Sequence, residues 1–227
     1  MRGCSFDRAS SGVSSVRLIP RQVESTSISA ASTSSARAVA FLGGVLLPLG
    51  LFAALAMAVT RKGGIRWDTQ ILLFAERHYQ SSVVVFGDVA LKGSLGVSVA
   101  VAAVMVLLTA RRGSYALFWA LAIGGVLVLD FLLKEIFRRP TLGGTGAGYS
   151  FPSGGAMVSV ALLLMLALTA SPRWRRWSLI VGVPLIVVYG LVLVYAWWHY
   201  PTDVVGGWCV ALAWVTSLWL LLRSKPT

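Results

Sequence analysis

Apolar runs broken by short polar stretches fill the chain from about residue 38 onward. A run of roughly 18 or more apolar residues is a candidate to cross a bilayer as a helix. The pattern predicts an all-α, polytopic membrane protein with six spans, at about 38–60, 95–110, 117–137, 154–170, 179–198 and 204–222. A short helix is expected over 82–90, ahead of the second span. One stretch has a different rhythm. In "RWDTQILLFAERHYQ", Arg66 to Gln80, the residues Ile71, Leu72, Phe74 and Ala75 form an apolar face with charges opposite. That pattern predicts an amphipathic helix lying in the membrane interface rather than crossing it.

Residues 1–36 break the pattern altogether. They are rich in serine, carry Arg2, Arg8, Arg17 and Arg21, and have few acids. Such a segment cannot bury enough apolar surface to offset the entropy of ordering it, so a disordered tail is expected. The same composition suits a transit peptide or a mis-called start; an unstructured cytoplasmic tail is favoured. The expected organisation is therefore a tail over 1–36 and a membrane domain over 37–227.

Composition agrees with a membrane protein: 57% of residues are hydrophobic and 12% charged, against about 25% charged in soluble domains. In a soluble protein a net charge of +12 would suggest nucleic acid. Here basic loops are expected to set topology and meet anionic lipid, and no nucleic-acid partner is expected. With six spans, twelve Lys and Arg residues fall on the face of the N-terminal tail and eight on the other. The richer face is placed in the cytoplasm of the cell (inner) membrane, with both termini. Cys4 and Cys209 form no Cys-x-x-Cys or Cys/His cluster, so neither a disulfide nor a metal site is expected.

Candidate chemistry collects where three loops reach the opposite face. In "WHYPTDVVGGW", Pro201 suits the first position of a helix and Asp203 its first turn. His199 precedes that turn, close enough for Asp203 to accept a hydrogen bond from its ring and prepare it as base or nucleophile. The alternative is an interfacial histidine satisfied by loop backbone. In "PSGG", Ser153 fits an N-cap, and Gly154 lets an anion approach the free N–H groups of the helix start. An ordinary cap is the plainer reading. In "LKEIFRRP", Lys134 and Arg138 are four apart on one helical face, with Asp130 a turn earlier. These cations, with Arg139, either anchor the helix against headgroups or serve as phosphate ligands.

"GYSFPSGGAMVS" and "HYPTDVVGGW" resemble the PAP2 family, the type 2 phosphatidic acid phosphatases related to vanadium haloperoxidases, over about Asp68 to Leu222. Members carry a lysine followed seven positions on by Arg-Pro, then Pro-Ser-Gly-His, then Ser-Arg, five residues, His, three residues, Asp. The match is partial. Lys134, Ser153, Gly154, His199 and Asp203 agree. The first arginine position holds Thr141 followed by Leu142, and Arg139-Pro140 comes two residues early; the histidine position is Gly155, and the Ser-Arg positions are Val192 and Leu193.

The resemblance implies a six-helix membrane bundle with its site at one end. It also implies hydrolysis of a lipid phosphate or diphosphate through a phosphohistidine, without metal or cofactor. His199 and Asp203 are then the catalytic pair, and Lys134, Arg138, Arg139, Ser153 and Gly154 the phosphate-binding set. Two arginines and the leaving-group acid of the pattern are missing. The competing expectation is accordingly a pseudophosphatase that binds an anionic lipid or a membrane partner without turnover. A transporter fits less well, because its site belongs near the midplane on broken helices, and the one acid deep in a span, Asp130, can pair with Lys134.

Overall fold

The structure, a computed structural model, describes residues 35, 37–61, 65–77, 113–142 and 148–223. Contacts divide the chain into Met1–Ala36 and Arg37–Thr227; the fold is that of the second unit. Among the described residues it is helical: α1 (Arg37–Thr60), α2 (Arg66–Arg77), α3 (Gly113–Phe137), α4 (Gly154–Thr169), α5 (Pro172–Tyr195) and α6 (Pro201–Arg223). Four of these, α1, α3, α5 and α6, are long and apolar enough to cross a membrane, and α4 is a shorter apolar helix. Five of the six expected spans thus have their helix. The expected span at 95–110 and the short helix at 82–90 lie outside the described residues.

Helix ends follow from local chemistry. Pro172 and Pro201 open α5 and α6, where a missing N–H costs nothing and φ is already helical. Pro172 starts α5 earlier than the expected 179, so Arg173, Arg175 and Arg176 lie on the helix rather than in a loop. In α1 a π-helical turn, Leu42–Leu46, precedes Pro48; Pro48 offers that turn no N–H, and the turn opens to the wider spacing. At α3 the helix ends with Phe137, two residues before the Arg139-Pro140 pair. The residue before a proline disfavours α geometry, and Arg138 turns the chain away with φ of 45°. Arg138 therefore leaves the helical face that it was expected to share with Lys134.

α6 is the central helix: half of its most apolar window is buried, against 11% in α1 and 17% in α5. The main core joins Phe118, Trp119, Ala122 and Val126 of α3 to Met157, Ala161 and Met165 of α4 and Ala211 and Val215 of α6. Spacings of three and four put each set on one face. The remaining faces of α1, α3 and α5 expose large apolar side chains such as Leu47, Phe131 and Leu185. Water would penalise such faces, whereas acyl chains accept them, as expected of an integral membrane protein. α6 also approaches α4 closely: a Cβ at Gly207 would lie 2.5 Å from the Ser153 carbonyl oxygen. Glycine at 207 is what lets the two helix starts meet.

The loop ahead of α4 is anchored by one ring. Phe151 is fully buried, stacked on Phe52 of α1 at 5.5 Å and edge-on to Phe137 of α3 at 5.2 Å. It also fills the space beside Gly206 of α6, where a Cβ would come within 2.7 Å of the ring. A bridge between Pro140 and Tyr149 ties the same loop to the end of α3.

Candidate functional site

The turn from α5 into α6 is fixed from both sides. The backbone N–H groups of Trp198 and His199 donate to the Leu193 carbonyl in the last turns of α5, at 3.1 and 3.3 Å. On the α6 side, the Tyr200 N–H donates to Asp203 Oδ2 at 3.0 Å. His199 Nδ1 stands 3.1 Å from the Ser150 carbonyl oxygen and 3.5 Å from Asp203 Oδ2. A carbonyl can only accept, so this contact puts the proton on Nδ1 and leaves Nε2 as the nitrogen with a lone pair. Both sequence readings of His199 therefore describe part of the arrangement. Loop backbone makes the shorter contact, and Asp203 stands beside it.

Asp203 is fully buried and shares a guanidinium with a second acid. Arg139 Nη1 donates to Asp203 Oδ1 at 2.6 Å and to Thr202 Oγ1 at 2.7 Å, while Nη2 donates to Asp68 Oδ2 at 2.8 Å. The guanidinium also lies 3.6 Å from the centre of the Tyr200 ring, a cation–π stack that sets its plane. Asp68 is 1% exposed and takes two further bonds from Thr202, from N at 3.1 Å and from Oγ1 at 2.5 Å. Two buried carboxylates around one arginine, every carboxylate oxygen meeting at least one donor, form a high-stakes network: removal of one member strands the others.

Ser153 caps α4, its oxygen accepting from the Ala156 N–H at 3.5 Å, and its own N–H donates to the Asp203 carbonyl at 2.9 Å. The start of α4 is therefore bonded directly to the first turn of α6. Next to it, Gly154 faces the Asp130 carboxylate, which a Cβ there would approach to 2.7 Å. Lys134 Nζ donates to Asp130 Oδ2 at 3.0 Å, and Asp130 Oδ1 is buried with no hydrogen-bond partner among the described residues. A Cβ at Gly155 would come within 2.6 Å of Tyr189 Oη, so a phenol holds the space that a side chain at 155 would need.

Of the seven expected site residues, His199, Asp203, Ser153 and Arg139 meet through direct bonds and one shared loop. Lys134 and Gly154 join them at one remove, through Asp130. Arg138 does not: it pairs with Glu135 at 3.5 Å and is two-thirds exposed. Arg139, expected on phosphate, has two carboxylates and a hydroxyl as its partners. Sequence reading missed Ser150, Tyr189, Thr202 and above all Asp68. For Asp68 a signal did exist, since it shares an inward stripe of α2 with Leu72 and Ala75. An acid at the head of an apolar stripe needs a partner.

Residues 130–226 match the family model of the PAP2 superfamily, and the expected resemblance is thereby borne out over that part of the chain. Among solved structures, the fold is similar to one described as the first transmembrane PAP2 type phosphatidylglycerolphosphate phosphatase from Bacillus subtilis. The TM-score is 0.55 at 24% sequence identity, over 78% of this chain and 94% of that one. No curated protein matches the chain in sequence.

Proposed function

We propose that this membrane protein with the PAP2 fold hydrolyses a lipid phosphate or diphosphate, with His199 as the nucleophile. The observation that carries the reading is the contact of His199 Nδ1 with the Ser150 carbonyl at 3.1 Å, beside Asp203 Oδ2 at 3.5 Å. It leaves Nε2 as the attacking nitrogen and places an anion where positive charge develops on the ring. In the first step Nε2 bonds to the terminal phosphorus while its bond to the leaving oxygen breaks; the lipid alcohol, or from a diphosphate the lipid monophosphate, departs, and an alkoxide takes its proton from water. In the second, water attacks phosphorus, the N–P bond breaks and inorganic phosphate leaves. The Gly154 N–H and the start of α4 supply donors for the equatorial oxygens, with Lys134 as the nearby cation. Arg139 supports Asp203 rather than gripping phosphate.

No histidine stands at 155 to protonate the departing oxygen. An alkoxide is a poor leaving group without such an acid, whereas phosphate leaving from a diphosphate is a weaker base. Lipid diphosphates are therefore the favoured substrates. The similar solved structure is named for a phosphatase acting on a lipid phosphate, which supports a phosphorylated lipid as substrate; the preference for diphosphates rests on Gly155.

A second reading has its own support. Lys134 and Arg139 already hold carboxylates of the chain itself, and Val192 and Leu193 offer no cation. These features weigh against turnover and favour a pseudophosphatase that binds an anionic lipid or a membrane partner without hydrolysing it. Phosphate release by the purified protein from a panel of lipid mono- and diphosphates, beside His199→Ala, separates the two. Release that is faster from diphosphates and abolished in His199→Ala supports the phosphatase. Lipid binding with no release supports the second reading.

A further inference from the structure

We infer that Asp68, on the amphipathic helix α2, is a positioning residue for His199 and Asp203. It acts through Arg139 and Thr202. The inference deepens the reading of His199 as nucleophile and rests on it only for its effect on turnover. Asp68 lies 131 positions before His199 in sequence, and its hydrogen bonds go to Arg139 and Thr202 rather than to His199 or Asp203. It reaches them by two routes, each made of bonds already described.

The first route runs through the start of α6. The first N–H groups of a helix have no acceptor within it. Asp68 Oδ1 accepts from the Thr202 N–H at 3.1 Å and Oδ2 from the Thr202 hydroxyl at 2.5 Å. A carboxylate from another helix thus caps α6 one residue before Asp203. Negative charge there also suits the helix dipole.

The second route runs through Arg139. A guanidinium offers its donors in a fixed fork. Asp68 takes Nη2 at 2.8 Å, which leaves Nη1 for Thr202 Oγ1 and Asp203 Oδ1. Asp203 is then held by its Oδ1, and its Oδ2 is left for the Tyr200 N–H and the His199 ring. Without Asp68 the fork loses one of its two carboxylate partners. Arg139 then keeps Asp203, Thr202 and the Tyr200 ring but not its anchor on α2, and the first turn of α6 loses its cap, so the carboxylate beside the His199 ring is held less firmly. A helix whose other face is apolar and exposed at Trp67, Ile71 and Phe74 is thereby linked, through Arg139 and Thr202, to the reacting histidine.

The variant Asp68→Asn keeps the volume but sets an amide N–H₂ against donors. Glu76→Gln, an exposed carboxylate on the same helix, is the control. His199 and His78 are the two histidines of the chain, so carbethoxylation by diethyl pyrocarbonate, read by mass spectrometry, reports His199 with His78 as internal reference. The His199-to-His78 rate ratio is expected to change at least about 3-fold in Asp68→Asn and to stay constant in Glu76→Gln. For turnover, kcat is expected to fall about 10- to 100-fold with KM within about 3-fold, the scale of one hydrogen bond to a charged group. In an Arg139→Met background the further effect of Asp68→Asn should be smaller than in the wild type, because only the route through Thr202 remains.

An unchanged labelling ratio in a folded Asp68→Asn protein overturns the inference, whatever the activity. So does a loss seen in KM alone. A wild type that releases no phosphate, yet shows the change in labelling, overturns the phosphatase reading and leaves the positioning role standing. If Asp68→Asn fails to fold, Asp68→Glu carries the test: it keeps the charge but lengthens the reach, and an unchanged ratio there counts equally against the inference.

Discussion

Arg138 and Arg139 are neighbours in sequence with opposite surroundings. Arg139 lies between two buried carboxylates, and Arg138 meets one exposed glutamate. Breaking a buried ion pair from one side leaves uncompensated charge and costs about 3–5 kcal/mol, whereas surface changes stay within about 0.5 kcal/mol. Arg139→Met is therefore expected to lower the thermal midpoint in detergent sharply, and Arg138→Ala to leave it nearly unmoved. Similar midpoints for the two variants would contradict the assignment. Sequence spacing could not tell these arginines apart, because the difference is made by Pro140 ending the helix and by Asp68 arriving from far away. His199 and Asp203 were legible, since a proline at a helix start fixes their separation locally. Gly155 was legible as a missing acid but not as an occupied space. With Tyr189 Oη only 2.6 Å from the site of a Cβ, Gly155→His alone should gain little. Gly155→His with Tyr189→Ala should raise monophosphate hydrolysis more than diphosphate hydrolysis. Equal gains on both classes would contradict a role in protonating the leaving group.

Among the elements, α2 shows how far periodicity reaches. Its apolar residues were read as one face turned to the interface, but they form two stripes. Asp68, Leu72 and Ala75 turn inward, while Trp67, Ile71 and Phe74 stay exposed. The spacing of Asp68, Leu72 and Ala75 marks the inward stripe, but Asp68's partner was hidden, because Thr202 lies 134 residues away. The contact between α4 and α6 was hidden for a related reason: a glycine in an apolar helix says nothing about which backbone approaches it. Gly207 meets the rigid Ser153 carbonyl, so Gly207→Ala must part the two helix starts. Overpacking of this kind costs about 1–3 kcal/mol. Gly124, in α3, has nothing within 4 Å of a Cβ among the described residues, and Gly124→Ala should instead stabilise by about 0.5–1 kcal/mol through helix propensity. Opposite shifts in thermal midpoint are the expected result, and shifts of the same sign would contradict the packing.

For the whole molecule, hydropathy was enough to find the spans, because a bilayer demands long apolar helices whatever their packing. It could not show that α6 lies at the centre, since central and lipid-facing helices are equally apolar. The charge asymmetry leads us to propose cytoplasmic termini and a site facing outward. A reporter fused after Thr227 should be active in the cytoplasm, and activity confined to the exterior would reverse the topology. With the site at the ends of α3 to α6 and α2 braced against it, the central claim concerns one atom, Nε2 of His199. Brief reaction with a lipid diphosphate labelled in its terminal phosphate, followed by denaturing quench in base, tests it directly. The account predicts an acid-labile, base-stable phosphoryl group on the peptide containing His199, lost in His199→Ala and chased by unlabelled substrate. Phosphate release with no label at His199, or with label on another residue, would contradict it.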